Sequence, residues 1–190
     1  MSNVLGIDPG LAHTGAARLH RDTTITTTLK TTPPAPTTDP VIVDARITAI
    51  TRWVLTQATT DTVLVVIEGP AHNAHHGQPH ERAGLWWRII NALSRRHLPI
   101  AVLPPAILKG YITGKGNADK ELVRSAVAAA WPGNGLTRAT THEADAVALA
   151  TAGADWLGRP GPWLEGRRGT GWLDKAQWPD RDTITERVDP

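Results

Sequence analysis

A chain of 190 residues with 41% hydrophobic and 20% charged residues is long enough for one domain with a genuine core and is too apolar to be disordered. Cysteine is absent, which excludes disulfides and thiolate metal sites; no apolar run approaches the roughly 18 to 20 residues that span a bilayer, and no signal-like region precedes the first strand, so a cytoplasmic protein with no membrane partner is expected. The net charge of +2 is unevenly placed: residues 81–124 carry Arg82, Arg88, Arg95, Arg96, Lys109, Lys115, Lys120 and Arg124 against Glu81, Asp119 and Glu121, a pattern that suits a polyanionic partner or, equally, a solvated helical surface.

Residues 4–8, 14–20 and 23–30 read as three short strands of an antiparallel meander, the third alternating threonine with aliphatic residues. Four prolines between residues 30 and 40 make a loop, because proline removes the donors that a strand or helix needs. Val43, Ile47, Ile50 and Val54 recur at helical spacing over residues 41–59. Residues 62–68 form a continuous apolar, β-branched run, as a strand covered on both faces does. A His-rich loop over residues 71–79 leads to a helix over 81–97. A short strand over 100–103 and a short helix over 106–111 follow, then a turn over 113–117 and a helix over 118–131. The last helix starts near Thr141 and runs through residue 152. From residue 158 onward glycine, proline and tryptophan rise and helical periodicity ends. The expected organisation is a domain over 1–157 and a C-terminal extension over 158–190, partly ordered by docking of Trp163, Trp172 and Trp178.

Two strands end on carboxylates followed by turn formers: Asp8 before Pro9-Gly10 and Glu68 before Gly69-Pro70. As neighbouring parallel strands they place both acids on one edge of the sheet. His142 and Asp145, three residues apart, share a face of the last helix and can point at that edge. Any one of these acids alone is more often a cap or ion-pair member; their conjunction is the specific signal. A carboxylate facing a core is costly unless paired, and the simplest partner for several is a divalent cation. Hard oxygen donors suit Mg²⁺ or Mn²⁺, and two such ions serve phosphodiester hydrolysis.

Asp8-Pro9-Gly10 with Thr14-Gly15 by itself fits actin-like ATPases and sugar kinases as well as nucleases of the ribonuclease H fold, but the chain is short for the duplicated actin-like architecture. Gly6-Ile7-Asp8-Pro9-Gly10 with Thr14-Gly15, Ile67-Glu68, Gly114-Lys115-Gly116-Asn117-Ala118-Asp119-Lys120 and Glu143-Ala144-Asp145-Ala146 occur in the order and spacing of the RuvC family of Holliday-junction resolvases. The chain resembles that family over roughly residues 3 to 155, especially the RuvC-like resolvases of actinobacterial phages and their hosts. The resemblance implies a ribonuclease H-like α/β fold, a mixed sheet in which a three-stranded antiparallel meander joins parallel strands, flanked by helices. It also implies a homodimer and metal-dependent, symmetric nicking of four-way junction DNA in recombination, repair or phage DNA processing. By motif position Asp8, Glu68 and Asp145 match the family's catalytic, metal-binding acids. His142 stands where many members have a further aspartate, and an imidazole ligand suits Mn²⁺ better than Mg²⁺. Lys109 and Lys120 match lysines near the scissile phosphate, with stabilisation of transition-state charge as their implied role.

Residues 110–116 lack P-loop spacing, which argues against nucleotide binding, yet glycines beside Lys115 still admit a phosphate contact. His72, His75, His76 and His80 within one loop favour a DNA-contacting or solvated segment over zinc, and the resemblance implies that Asn73, His75 and His76 reach the junction. Arg82 and Arg124 complete the expected DNA-binding set. One of Trp86 and Trp87 is expected to pack inward and the other to face a dimer partner. Glu143 is expected to be a first-turn acid rather than a ligand. Two alternatives stand beside junction resolution: a nuclease of the same fold acting on other branched DNA or RNA–DNA hybrids, and a non-catalytic junction-binding protein.

Overall fold

The structure, a computed structural model, describes residues 2–35, 38–70, 78–159, 161 and 171–184. Strands β1 (Asn3–Asp8), β2 (His13–His20) and β3 (Ile25–Thr31) form the antiparallel meander; β4 (Thr62–Glu68) and β5 (Ile100–Leu103) extend the sheet in parallel, in the order β3-β2-β1-β4-β5. The fully apolar runs of β1 and β4 lie at the centre, where both faces are covered. One face carries α1 (Pro40–Gln57) and α2 (Pro79–Ser94), which bury Leu5, Ile7, Val65 and Ile67 against Ile50, Val54, Ile89 and Leu93. The other carries α3 (Pro105–Thr113), α4 (Lys120–Ala130) and α5 (Thr141–Trp156) over Val4, Leu64 and Val66.

Helix boundaries follow local chemistry rather than periodicity alone. The helix expected over 118–131 begins at Lys120, because the Asp119 carboxylate accepts from the Leu122 amide at 2.8 Å and caps it. The helix expected to reach His97 stops at Ser94, where the Arg95 and Arg96 amides close the last turn and His97 adopts φ 55°. The last helix runs to Trp156, a turn beyond expectation. It opens with a capping box in which the Thr140 hydroxyl accepts from the Glu143 amide while the Glu143 carboxylate accepts from the Thr140 amide at 2.9 Å. That cap is the role of Glu143.

Helix α5 is buried almost all round, and its alanines let it sit very close to the sheet. A Cβ at Gly6 would overlap the Ala146 carbonyl and stand 2.6 Å from the Ala150 amide; one at Gly15 would overlap the His142 carbonyl. Backbone therefore rests on backbone where α5 crosses β1 and β2. That contact fixes the height of the helix above the strand ends.

Past α5, residues 171–184 return to the domain. Gln177 and Val102 exchange backbone hydrogen bonds of 2.9 and 3.2 Å on the free side of β5. Trp178 stacks on Trp156 with ring centroids 4.7 Å apart, and Ile184 is buried in the core on the α5 side of the sheet. Trp163 lies outside the described residues.

Candidate active site at the ends of β1 and β4

The parallel register pairs Ile7 with Ile67, so Asp8 and Glu68 leave the sheet side by side. Asp8 shares its face of β1 with Gly6, the face on which α5 rests, and this aims its carboxylate at the helix. Thr14 fixes the turn that follows by donating from its hydroxyl to the Gly10 carbonyl at 2.7 Å. The Trp86 indole N–H donates to the Glu68 carbonyl at 2.9 Å, and the Gly69 amide donates to Leu103, so the end of β4 is held from both sides. From the first turns of α5, His142 Nδ1 lies 2.6 Å from Asp8 Oδ2.

The four groups expected to act together are thus brought together. Asp8 is buried, and its hydrogen bond raises the basicity of His142; the nearby Asp8 and Asp145 charges act in the same direction, against burial and Lys120. Burial pushes the Asp145 carboxyl up to about 6, reinforced by the Asp8 charge and opposed by Lys120, His142 and Lys109. Burial raises Glu68 well above the carboxylate range, followed by the charges of Asp8 and Asp145 and a hydrogen bond to Asp8. Burial and mutual repulsion thus oppose the ionised forms of Glu68 and Asp145 beside Asp8, a cost that a bound cation would relieve.

Chemically the set fits a hard divalent ion, since its donors are carboxylate oxygens and one imidazole. Among the described residues, no three His, Asp or Glu side chains as they lie could hold an ion together. Asp8 is turned to His142 and Glu68. His142 Nδ1 and Asp8 Oδ2 can both serve as ligands only once the proton between them has left.

Lys120, at the first position of α4, and Lys109 on α3 act electrostatically on Asp145. Lys115 is exposed in the turn between these helices. The Thr113 hydroxyl ties that turn, donating to the Lys109 carbonyl at 2.7 Å and accepting from the Lys115 amide at 3.1 Å. Arg82 lines a cavity of about 310 Å³ together with Pro9, Glu68, Trp86 and Pro105. Arg124 binds the Glu121 carboxylate at 2.9 Å and the Thr137 carbonyl at 3.1 Å, so it braces α4 against the next turn. Asn73, His75 and His76, with His72, lie outside the described residues. His80, the second residue of α2 rather than part of the loop, is exposed.

One residue beside the site was not singled out in the sequence. The His13 ring stacks on His142, centroids 5.4 Å apart. Its signal was available in the alternation of β2: Gly15 stands opposite Asp8 and faces α5, so His13, two residues earlier, shares that face.

A mixed sheet in the order 3-2-1-4-5, with helices on both faces and acids where β1, β4 and α5 meet, is a ribonuclease H-like fold. More narrowly, the fold is RuvC-like. Thermus thermophilus RuvC matches with a TM-score of 0.62 and 22% identity, over 83% of this chain and 97% of that one. The T. thermophilus RuvC in complex with Holliday junction substrate matches with the same score and identity, over 83% and 95%. No family model and no curated protein matches the sequence.

Proposed function

We propose that the protein is a homodimeric, metal-dependent endonuclease that resolves four-way DNA junctions by paired symmetric nicks. The observation that carries this reading is the convergence of Asp8, Glu68 and Asp145 at one end of the β1–β4 pair, with Lys109 and Lys120 acting on Asp145. The related fold of a protein seen with a Holliday junction substrate supports the choice of substrate.

Asp8, Glu68, His142 and Asp145 would hold Mg²⁺ or Mn²⁺. The chemistry such ions would supply there is activation of a water and neutralisation of charge on the departing oxygen. The chain's own groups do the rest. In the metal-free site the hydrogen bond to Asp8 orients His142, and with that proton lost both atoms would be available as ligands. Lys120 and Lys109 offset phosphate charge from the α3–α4 side, opposite the buried acids. The basic segment from Arg82 to Lys120 supplies backbone contacts, which fix register without reading sequence. On α2, Trp86 packs against the end of β4, while Trp87, 65% exposed, would offer a second copy an aromatic anchor.

The test is nicking of a labelled mobile four-way junction beside linear duplex, flap and RNA–DNA hybrid. Paired symmetric cuts confined to the junction are expected. Cleavage of the hybrid would move the enzyme to a different substrate class, and junction binding without any cut would make it a binding protein. In the same assay Mn²⁺ is expected to support faster nicking than Mg²⁺, because His142 contributes an imidazole where a carboxylate would favour magnesium. Equal or faster nicking in Mg²⁺ across a full titration would refute this assignment.

A further inference from the structure

We propose that Trp172 of the C-terminal extension is a positioning residue for Lys109 and Lys120, acting through the two glycines on which its indole rests. The proposal rests on the nuclease reading above and assigns a part of the site to a segment outside the region that resembles RuvC.

Gly110 follows Lys109 on α3, and Gly116 lies four residues before Lys120. The three atoms nearest a Cβ on Gly110 would all be carbons of the Trp172 indole: it would overlap Cδ2 and stand 2.5 Å from Cε2 and Cε3. A Cβ on Gly116 would stand 3.2 Å from the far edge of the same ring and 3.2 Å from the Ala106 carbonyl. One indole thus lies across both ends of the segment that joins the two lysines. The absence of side chains at these two positions makes the space it fills.

The indole is itself held in place. Lys175 sits 4.8 Å from its centroid. The segment behind it is anchored by the Gln177–Val102 bridge and by the Trp178 indole N–H, which donates to the Leu173 carbonyl at 2.8 Å. At the other end Gly114 (φ 80°) ends α3 and the Thr113 hydroxyl ties the turn, but neither fixes the turn against the body of the domain. Tyr111, Ile112 and Ala118 bury the flanks of the turn in the core, and Trp172 adds the contact at Gly110 and Gly116. Small displacements of groups that stabilise a transition state reduce rate far more than affinity.

The test is a cycle of Trp172→Ala, Gly110→Ala and the double variant. Gly110→Ala leaves the tryptophan in the chain but expels it from its seat, and alanine is at home in a helix. Each single variant is expected to lower the single-turnover nicking rate on the order of 10-fold, with junction affinity in chelator changed less than about twofold on the same ground. The double variant is expected to be no worse than either single one, because the new methyl group then meets empty space. Additive losses, or a loss confined to affinity, would overturn the proposal. Amide hydrogen exchange over residues 109–117 gives a readout that needs no activity. Faster exchange in both single variants, without further increase in the double, supports the clamp even if the wild type nicks no junction; unchanged exchange refutes it.

Discussion

Asp145→Asn is expected to abolish junction nicking, a loss on the order of 10³-fold, while raising the melting temperature of the metal-free protein at neutral pH. The two effects have one cause. Burial and the Asp8 charge lift the Asp145 carboxyl to about 6 from an ordinary value of 3.8, so its ionised form opposes folding. The folded protein binds the proton more tightly than the unfolded chain does. Stability therefore falls as pH rises from about 4 to about 6, and the full penalty applies above that window. Asparagine removes a charge that nothing in the metal-free site fully compensates. The gain above pH 6 is on the order of 2 kcal/mol, or roughly 4 to 8 °C in a domain of this size. It should shrink to a small fraction of that near pH 4, where the folded carboxyl is protonated and the unfolded one, with its ordinary value of 3.8, is only partly ionised. Thermal melts in chelator at pH 7.5 and pH 4 provide the check; a lower melting temperature at pH 7.5, or a gain that persists undiminished at pH 4, would contradict this account. Saturating Mn²⁺ should reverse the order, because the ion stabilises the wild type through a ligand the variant lacks.

Gly6→Ala is expected to be among the most damaging single-methyl changes in the chain. The added carbon would overlap the Ala146 carbonyl and crowd the Ala150 amide, both backbone atoms that cannot rotate away. Either α5 lifts from β1 or β1 bends, and a cost of about 3 kcal/mol or more is expected for forcing atoms into a closed interface. Lifting α5 also carries His142 and Asp145 away from Asp8, so any surviving fold should nick poorly. Gly84→Ala is the matching control. A Cβ there would meet only the end of the Ile47 side chain at 3.7 Å, on the exposed side of α2. It should stabilise by about 0.5 to 1 kcal/mol through helix propensity. Urea melts of both variants separate crowding from propensity, and similar effects at the two positions would refute the close-packing argument.

Much of this architecture was legible because strong local signals agreed. The run 62–68 matches β4 residue for residue, and the acids ending it and β1 lie together because parallel strands in register must place them so. His142 and Asp145 could be assigned to one helix face from spacing alone. What spacing could not give was long-range complementarity. That Gly110 and Gly116 are empty to receive an indole some 60 residues away depends on a chain reversal with no periodic trace. The pair of Arg124 with Glu121 follows from helical i,i+3 spacing, but its bond to the Thr137 carbonyl depends on a turn beyond α4 that spacing does not give. His13 needed the register of β2 before its face was known.

The bridge from Gln177 to Val102 has a consequence for any shortened form of the protein. β5 is the last strand on its side of the sheet, and Gln177 is the residue that meets its outer edge. A chain cut after Trp156 would leave the Val102 amide and carbonyl unpaired. It would also strip Trp178 from the face of Trp156 and Ile184 from the core. An open edge beside newly bared aromatic surface is a template on which other strands can add. Such a fragment should accumulate as aggregate, so the residues past α5 protect solubility as well as shape.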